Sequence, residues 1–171
     1  MAFEADPVNS VIVDTNPLVF IYGGVPNFGR LYAELLGDLS AKYSLVIPKV
    51  VYGELSLIFR NAVQLNDFLS DTGIIIGDIE PESYLIAAKR WDKYNKRRVL
   101  MCQRCGKKLA QLICKECNSE INIRQHILTD FVIGAHALQT KEGKIVTSDK
   151  GYYSTYFPEL TIVNVDLLFF K

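Results

Sequence analysis

Val11-Ile12-Val13-Asp14-Thr15-Asn16 is the stretch on which the reading of the chain turns. Three β-branched apolar residues run straight into a carboxylate and two small polar residues. A strand buried on both faces needs a nearly unbroken apolar run, so Ser10–Val13 reads as a parallel strand inside a covered sheet. Asp14 falls where that strand stops. Open α/β sheets gather ligands at the carboxyl ends of their strands, so an acid there, at a helix start, is a candidate metal ligand. An Asp in that place is equally a helix cap, and position alone does not separate the two roles.

Working outward, strands and helices alternate. Pro17 suits the first turn of a helix. Gly23, Gly24, Pro26 and Gly29 break the chain, and Phe28, Leu31, Tyr32, Leu35, Leu36 and Leu39 then repeat at helical spacing to about residue 43. Leu45-Val46-Ile47 is a second buried strand, ended by Pro48. A helix carrying Tyr52, Glu54, Leu55, Ile58 and Phe59 follows, then another over 61–69. Gly73-Ile74-Ile75-Ile76-Gly77 makes a third strand, and Pro81 opens a helix to about residue 94 with Tyr84, Ala88 and Trp91 on one face. After a segment of different character, a helix is expected over about 124–139 and a fourth strand at Lys144-Ile145-Val146-Thr147. A Tyr-rich helix stopped by Pro158 and a fifth strand over 160–165 complete the pattern. Such alternation predicts a three-layer α/β/α domain around a central parallel sheet. Right-handed crossovers would bring the named strand ends to one edge.

The 171 residues allow one domain with an insertion, and 49% hydrophobic with 22% charged residues supports a packed core rather than a disordered chain. No run of eighteen apolar residues is present, so no membrane span is expected. The start, Met1-Ala2-Phe3-Glu4-Ala5-Asp6, is acidic and lacks a signal-peptide pattern, and a soluble cytoplasmic protein is the expectation. The net charge is zero, yet residues 89–124 hold eleven basic residues against three acids, net +8, which leaves −8 for the rest. A basic segment suited to a polyanion thus sits in an acidic body suited to cations.

Asp149 repeats the logic of Asp14, because the fourth strand runs out into Thr147-Ser148-Asp149-Lys150-Gly151. Glu54 lies in Val50-Val51-Tyr52-Gly53-Glu54-Leu55, and Asp130 in Ile127-Leu128-Thr129-Asp130-Phe131-Val132-Ile133. Each alone could be a helix-surface residue or a structural ion-pair partner. Unpaired buried carboxylates cost several kcal/mol, however, so two within apolar runs and two at strand ends point together to a shared site. Converging carboxylates repel one another, and a divalent cation removes that difficulty. All-oxygen ligation favours Mg²⁺ or Mn²⁺, which can polarise a phosphoryl oxygen and lower the pKa of a bound water.

Val11-Ile12-Val13-Asp14-Thr15-Asn16, the acid Glu54 after a Pro-containing turn, Leu128-Thr129-Asp130-Phe131-Val132-Ile133-Gly134-Ala135-His136-Ala137-Leu138, and Val146-Thr147-Ser148-Asp149-Lys150-Gly151-Tyr152 together resemble a PIN domain. The resemblance covers the chain outside the basic segment. It implies a metal-dependent ribonuclease fold with Asp14, Glu54, Asp130 and Asp149 as its acidic quartet and Asn16 and Thr147 in supporting positions. Compact members of that family are often VapC-like toxins paired with an antitoxin. Others act in ribosomal RNA processing, and a homodimer is a further expectation from the family.

Several neighbours carry two readings. His126, four residues before Asp130, would share its helix face and reach substrate phosphate, or be an ordinary polar residue at a helix start. Gly134 leaves room for metal or RNA, or allows close packing. Tyr152, Tyr153 and Tyr156 either stack on bases or form a core-facing cluster. Asp78 reads as a cap or turn residue and His136 as structural.

Residues 96–122 are basic, have little apolar periodicity and hold all four cysteines. Cys102-Gln103-Arg104-Cys105 and Cys114-Lys115-Glu116-Cys117 are two C-x-x-C pairs separated by eight residues, followed by Gly106 and Asn118, which tolerate positive φ. Four thiolates so spaced suit a tetrahedral structural Zn²⁺, and the segment resembles a small zinc ribbon. A redox C-x-x-C would not need the second pair. The division expected is therefore a PIN-like nuclease over 1–95 and 123–171, with an inserted ribbon over 96–122. Arg104, Lys107, Lys108 and Lys115 would face RNA phosphates, or simply solvent. The expected activity is Mg²⁺- or Mn²⁺-dependent endoribonuclease action. Asp14, Asp130 and Asp149 would serve as metal ligands, and Glu54 would bind metal or orient the attacking water. RNA and an antitoxin or ribosomal particle are the expected partners. The alternative is a non-catalytic RNA- or ribosome-binding adaptor.

Overall fold

The computed structural model describes residues 9–97, 100–102, 104–109, 112–121 and 125–165. The N-terminal stretch quoted above lies outside them, as do Arg98 and Arg124 of the basic segment. In chain order the elements are β1 (Ser10–Val13), α1 (Thr15–Tyr22), α2 (Phe28–Ser40), β2 (Ser44–Pro48), α3 (Lys49–Leu55), α4 (Ala62–Asp71), β3 (Ile75–Gly77), α5 (Pro81–Arg97), α6 (Leu128–Gln139), β4 (Lys144–Val146), α7 (Lys150–Tyr156) and β5 (Thr161–Val163). The five strands form one parallel sheet in the order β3-β2-β1-β4-β5.

β1 is the central strand. Ile12 stands opposite Val46 on one side and Ile145 on the other, and all four β1 residues are buried. A strand enclosed in this way can be apolar throughout, which is why its sequence does not alternate. The order runs outward from β1 through β2 to β3, then returns across β1 to β4 and β5. With right-handed crossovers, that reversal puts the helices α1 to α4 on one face and α5 to α7 on the other. It also makes the gap between the ends of β1 and β4 the topological switch point, where open α/β sheets leave a crevice. Two helix pairs, α1 with α2 and α5 with α6, pack most closely, and α6 also touches β1 and β4.

Two elements differ from the sequence reading. α3 ends at Leu55, and turns carry the chain to Phe59, whose buried ring stacks on Tyr22 at 3.8 Å between centroids. α6 starts at Leu128 rather than near residue 124. The side chain of Gln125 pairs with the Met101 backbone, its N–H donating 2.8 Å to the Met101 carbonyl while its oxygen accepts from the Met101 N–H at 2.7 Å. The Gln125 and His126 N–H groups donate to the Tyr94 hydroxyl instead of entering a helix. Asp130 then fixes the helix start by accepting from the Ile127 N–H at 2.8 Å.

Between α5 and α6 the cysteines form two similar turns. The Cys102 N–H donates to the Lys107 carbonyl and the Gly106 N–H to the Cys102 carbonyl, both at 2.8 Å. The second turn repeats this with Cys114 to Ser119 and Asn118 to Cys114, both at 2.9 Å. Gly106 has φ +72° and Asn118 φ +56°, as the sequence reading required of those positions. No described helix is long and apolar enough to cross a membrane.

Candidate active site: an acidic cleft at the switch point

β1 delivers Asp14 to the crevice. Its N–H continues the ladder to the Val146 carbonyl at 2.9 Å, and its side chain caps α1 by accepting from the Thr15 N–H at 2.8 Å. Capping and site membership, rivals in the sequence, are therefore both true of Asp14. Its other carboxylate oxygen accepts from the Thr147 hydroxyl at 2.6 Å. That same hydroxyl oxygen accepts from the Asp149 N–H at 3.0 Å, so one buried Thr links the two strand-end acids. The Thr147 carbonyl is itself held by the Asn164 amide at 2.7 Å and the Tyr32 hydroxyl at 3.2 Å. Asp149 caps α7 through the Tyr152 N–H at 3.1 Å.

Glu54 reaches the same place from the last turn of α3, where the Thr15 hydroxyl donates to its Oε2. Asp130 comes from the first turn of α6. The four acids line one cleft of about 170 Å³, with Thr15, Asn16, Gln125, His126, Tyr152 and Tyr153 completing its wall. Among the described residues, no Lys or Arg belongs to that lining.

The electrostatics follow from this placement. Burial pushes the Asp14 carboxyl up to about 7; hydrogen bonds from Thr147 and Thr15 oppose the shift, and the Asp130 and Glu54 charges add to it. Glu54 is raised first by burial, with Thr15 opposing and Asp130 adding. Asp149 is also raised by burial, partly offset by His126 and the Tyr152 N–H, with Asp130 again adding. The Asp130 charge thus acts on all three other acids.

His126 is the residue the sequence placed wrongly. It precedes α6 rather than sharing a helix face with Asp130. It is 5% exposed, and its Nδ1 lies 3.6 Å from an Asp130 oxygen and 3.9 Å from an Asp149 oxygen. The Tyr152 ring stacks on it at 3.9 Å between centroids. Tyr152 and Tyr153 are 1% exposed and therefore core residues behind the cleft, not platforms for bases. Gly134 serves packing: a Cβ there would come within 2.6–2.9 Å of the Phe157 ring. Asp78 pairs with Lys49 at the surface. Asn16 is exposed at the cleft, while Thr15, which the sequence reading passed over, makes the contact to Glu54. The signal for Thr15 was only its adjacency to Asp14.

Among the described residues, no group of three or more His, Cys, Asp or Glu side chains stands ready to hold a metal ion. The acids share a cleft without forming a closed cage, and the four cysteines do not converge on one point. The donor chemistry of the cleft still fits a hard divalent cation. Its four carboxylates are oxygen donors, with the His126 imidazole beside two of them, and like charges there are costly without a counter-ion. Each cysteine turn likewise has half of a thiolate site. Cys102 is lowered by the N–H groups of Cys105 and Arg104 and by the Cys105 thiol, and Cys117 by the Ser119 hydroxyl and N–H and the Cys114 thiol. Arg104, Lys107, Lys108 and Lys115 are all exposed.

No family model matches the sequence, and no curated protein does. Among solved structures, the chain is similar to the crystal structure of VapBC2 from Rickettsia felis bound to a DNA fragment from their promoter. The identity is 15%, with 91% of this chain and 98% of that chain covered, and the TM-score is 0.58. The likeness supports a PIN/VapC-like α/β fold over almost the whole length.

Proposed function

We propose that the chain is a Mg²⁺- or Mn²⁺-dependent endoribonuclease of the PIN type. The observation that carries this is the convergence of four carboxylates, from β1, α3, α6 and the start of α7, on one cleft at the topological switch point. One buried acid, Asp14, and two half-buried ones, Glu54 and Asp149, all held above the ordinary carboxylate range, are an expensive arrangement that charge neutralisation by a cation would relieve.

Asp14, Asp130 and Asp149 would hold the ion, which when bound neutralises the cluster and polarises a phosphoryl oxygen. Thr147 orients Asp14 and, through the Asp149 N–H, sets the start of α7. Glu54 has one oxygen engaged by Thr15, leaving Oε1 to accept a proton from the attacking water. His126, locked by Tyr152 and Tyr94, gives the inner end of the cleft a polar wall. The buried tyrosines beneath exclude bulk water from that end.

The cysteine segment, 96–122, we read as an inserted ribbon held by structural Zn²⁺ on Cys102, Cys105, Cys114 and Cys117. The support is the pair of matching turns with N–H groups directed at sulfur. Binding the ion would draw the two turns together, as metal-dependent folding of small ribbons requires. Arg104, Lys107, Lys108 and Lys115 would then contact RNA backbone. The fold neighbour contains VapB and VapC together, which favours a protein partner and places an antitoxin-like chain among the partners to seek. A role in RNA processing at a ribosomal particle is the other setting consistent with a ribbon.

The test is cleavage of a labelled structured RNA with Mn²⁺ by the wild type and by Asp14→Asn. Cuts that need Mn²⁺ and vanish in the variant support the nuclease. RNA that is bound but never cut by the wild type would favour the adaptor.

A further inference from the structure

We propose that the first cysteine turn, and specifically Lys107 and Lys108, forms the lip over which single-stranded RNA enters the acidic cleft. This rests on the reading of the cleft as the place where RNA is cut, and it assigns the polymer's path outside it. Among the described residues the cleft is lined by four acids and by no Lys or Arg, so these side chains alone repel a phosphate backbone rather than hold it. At about 170 Å³ it is also too small for more than about one nucleotide, given that pockets for drug-sized ligands run to several hundred Å³. The rest of the chain must lie on the surrounding surface, and the backbone must find its cations there.

The first turn is tied to the cleft at two points. Gly106 packs against the start of α7, where a Cβ would come 3.3 Å from both the Gly151 carbonyl and the Thr155 hydroxyl oxygen. α7 is the helix capped by Asp149, so this contact lies two residues along the chain from a cleft acid. The second tie is Gln125, a residue of the cleft wall whose side-chain amide pairs with the Met101 backbone through both its N–H and its oxygen. Lys107 and Lys108 follow the seated Gly106 directly and are exposed. A strand leaving the cleft across α7 would run towards this turn and its two exposed lysines. Charge complementarity and continuity with the site therefore point to the same occupant, a single-stranded polyanion.

The experiment measures fluorescence anisotropy of a labelled twelve-nucleotide RNA on the full chain carrying Asp14→Asn, without chelator, across a salt series. The double variant Lys107→Ala, Lys108→Ala should weaken binding about tenfold and lower the salt slope by about 1.4, the value for two phosphates on a single strand. Lys42→Ala with Lys141→Ala removes the same charge at the opposite edge of the sheet and should change nothing. Thr155→Phe, at an exposed position beneath Gly106, should unseat the turn and reproduce the lysine loss with both lysines intact. Equal losses from the two lysine pairs, or binding indifferent to Thr155→Phe, overturn the proposal. The nuclease reading fails separately: a wild type that never cuts, yet binds through Lys107 and Lys108, loses the nuclease and keeps the lip.

Discussion

Replacing Asp14 by Asn should make the protein more stable at neutral pH and remove part of its pH dependence. Asp14 is raised from 3.8 to about 7 by burial, so the folded state holds its proton where the unfolded state has released it. For such a group stability falls as pH rises from the unfolded value, and the full penalty is present above the folded value. The interval of about three pK units corresponds to about 4 kcal/mol, more than half of it falling between pH 5 and pH 8. Asn has no charge to bury. Its oxygen can keep the Thr15 N–H, but its amide must face the Thr147 hydroxyl, which costs about 1 kcal/mol. The net gain at pH 8 is then about 3 kcal/mol. Urea unfolding without Mg²⁺ or Mn²⁺, followed by circular dichroism at pH 5, 6.5 and 8, reads it directly. Glu54 and Asp149 also contribute to the wild-type slope, so the decisive quantity is the difference between the two proteins. If that difference is the same at pH 5 and pH 8, Asp14 is not a destabilising buried charge, and the case for a cation in the cleft loses its energetic basis.

Thr147→Val should cost about 2–3 kcal/mol, because it leaves the Asp149 N–H and an Asp14 oxygen without their partner in a buried place. The loss should be larger at pH 8 than at pH 5, since Asp14 also loses a bond that favours its charged form; equal losses would contradict the assigned geometry. Gly134→Ala should cost about 1–3 kcal/mol by driving a methyl into the Phe157 ring, measured by the same unfolding. Metal analysis of the purified chain should find one Zn²⁺, lost in Cys102→Ser together with Cys117→Ser. Retention of full Zn²⁺ in that variant would refute the ribbon.

Much of the fold was legible because its signals are local. Val11-Ile12-Val13 could be assigned as an enclosed strand from its unbroken apolar run, and Gly106 and Asn118 as positive-φ positions from their place after each cysteine pair. The four acids were legible as a set because each breaks an apolar context at a place where the topology has an edge. What escaped the sequence depends on long-range pairing. The start of α6 is delayed because Gln125 spends its side chain on Met101, 24 residues earlier, and Gln125 and His126 turn their N–H groups to Tyr94. No helical periodicity records those bonds. His126 consequently looked like an ordinary helix-start residue, although it is packed between Tyr152 and Tyr94 beside two acids.

The same bonds give the basic segment its meaning. A loop that merely interrupted the domain could be attached at its two ends alone. This one is fastened to the cleft wall by Gln125 and rests on the helix that Asp149 caps. The segment that carries +8 in the sequence, against −8 elsewhere, is thereby attached beside the acidic cleft through Gly106 and Gln125. An acidic cleft alone would repel RNA, and a basic loop alone would hold it without cutting. Seated one upon the other, they would supply the two halves of the proposed site for a phosphate polymer. On this reasoning the seat of Gly106 on α7 governs how RNA is presented to the four carboxylates.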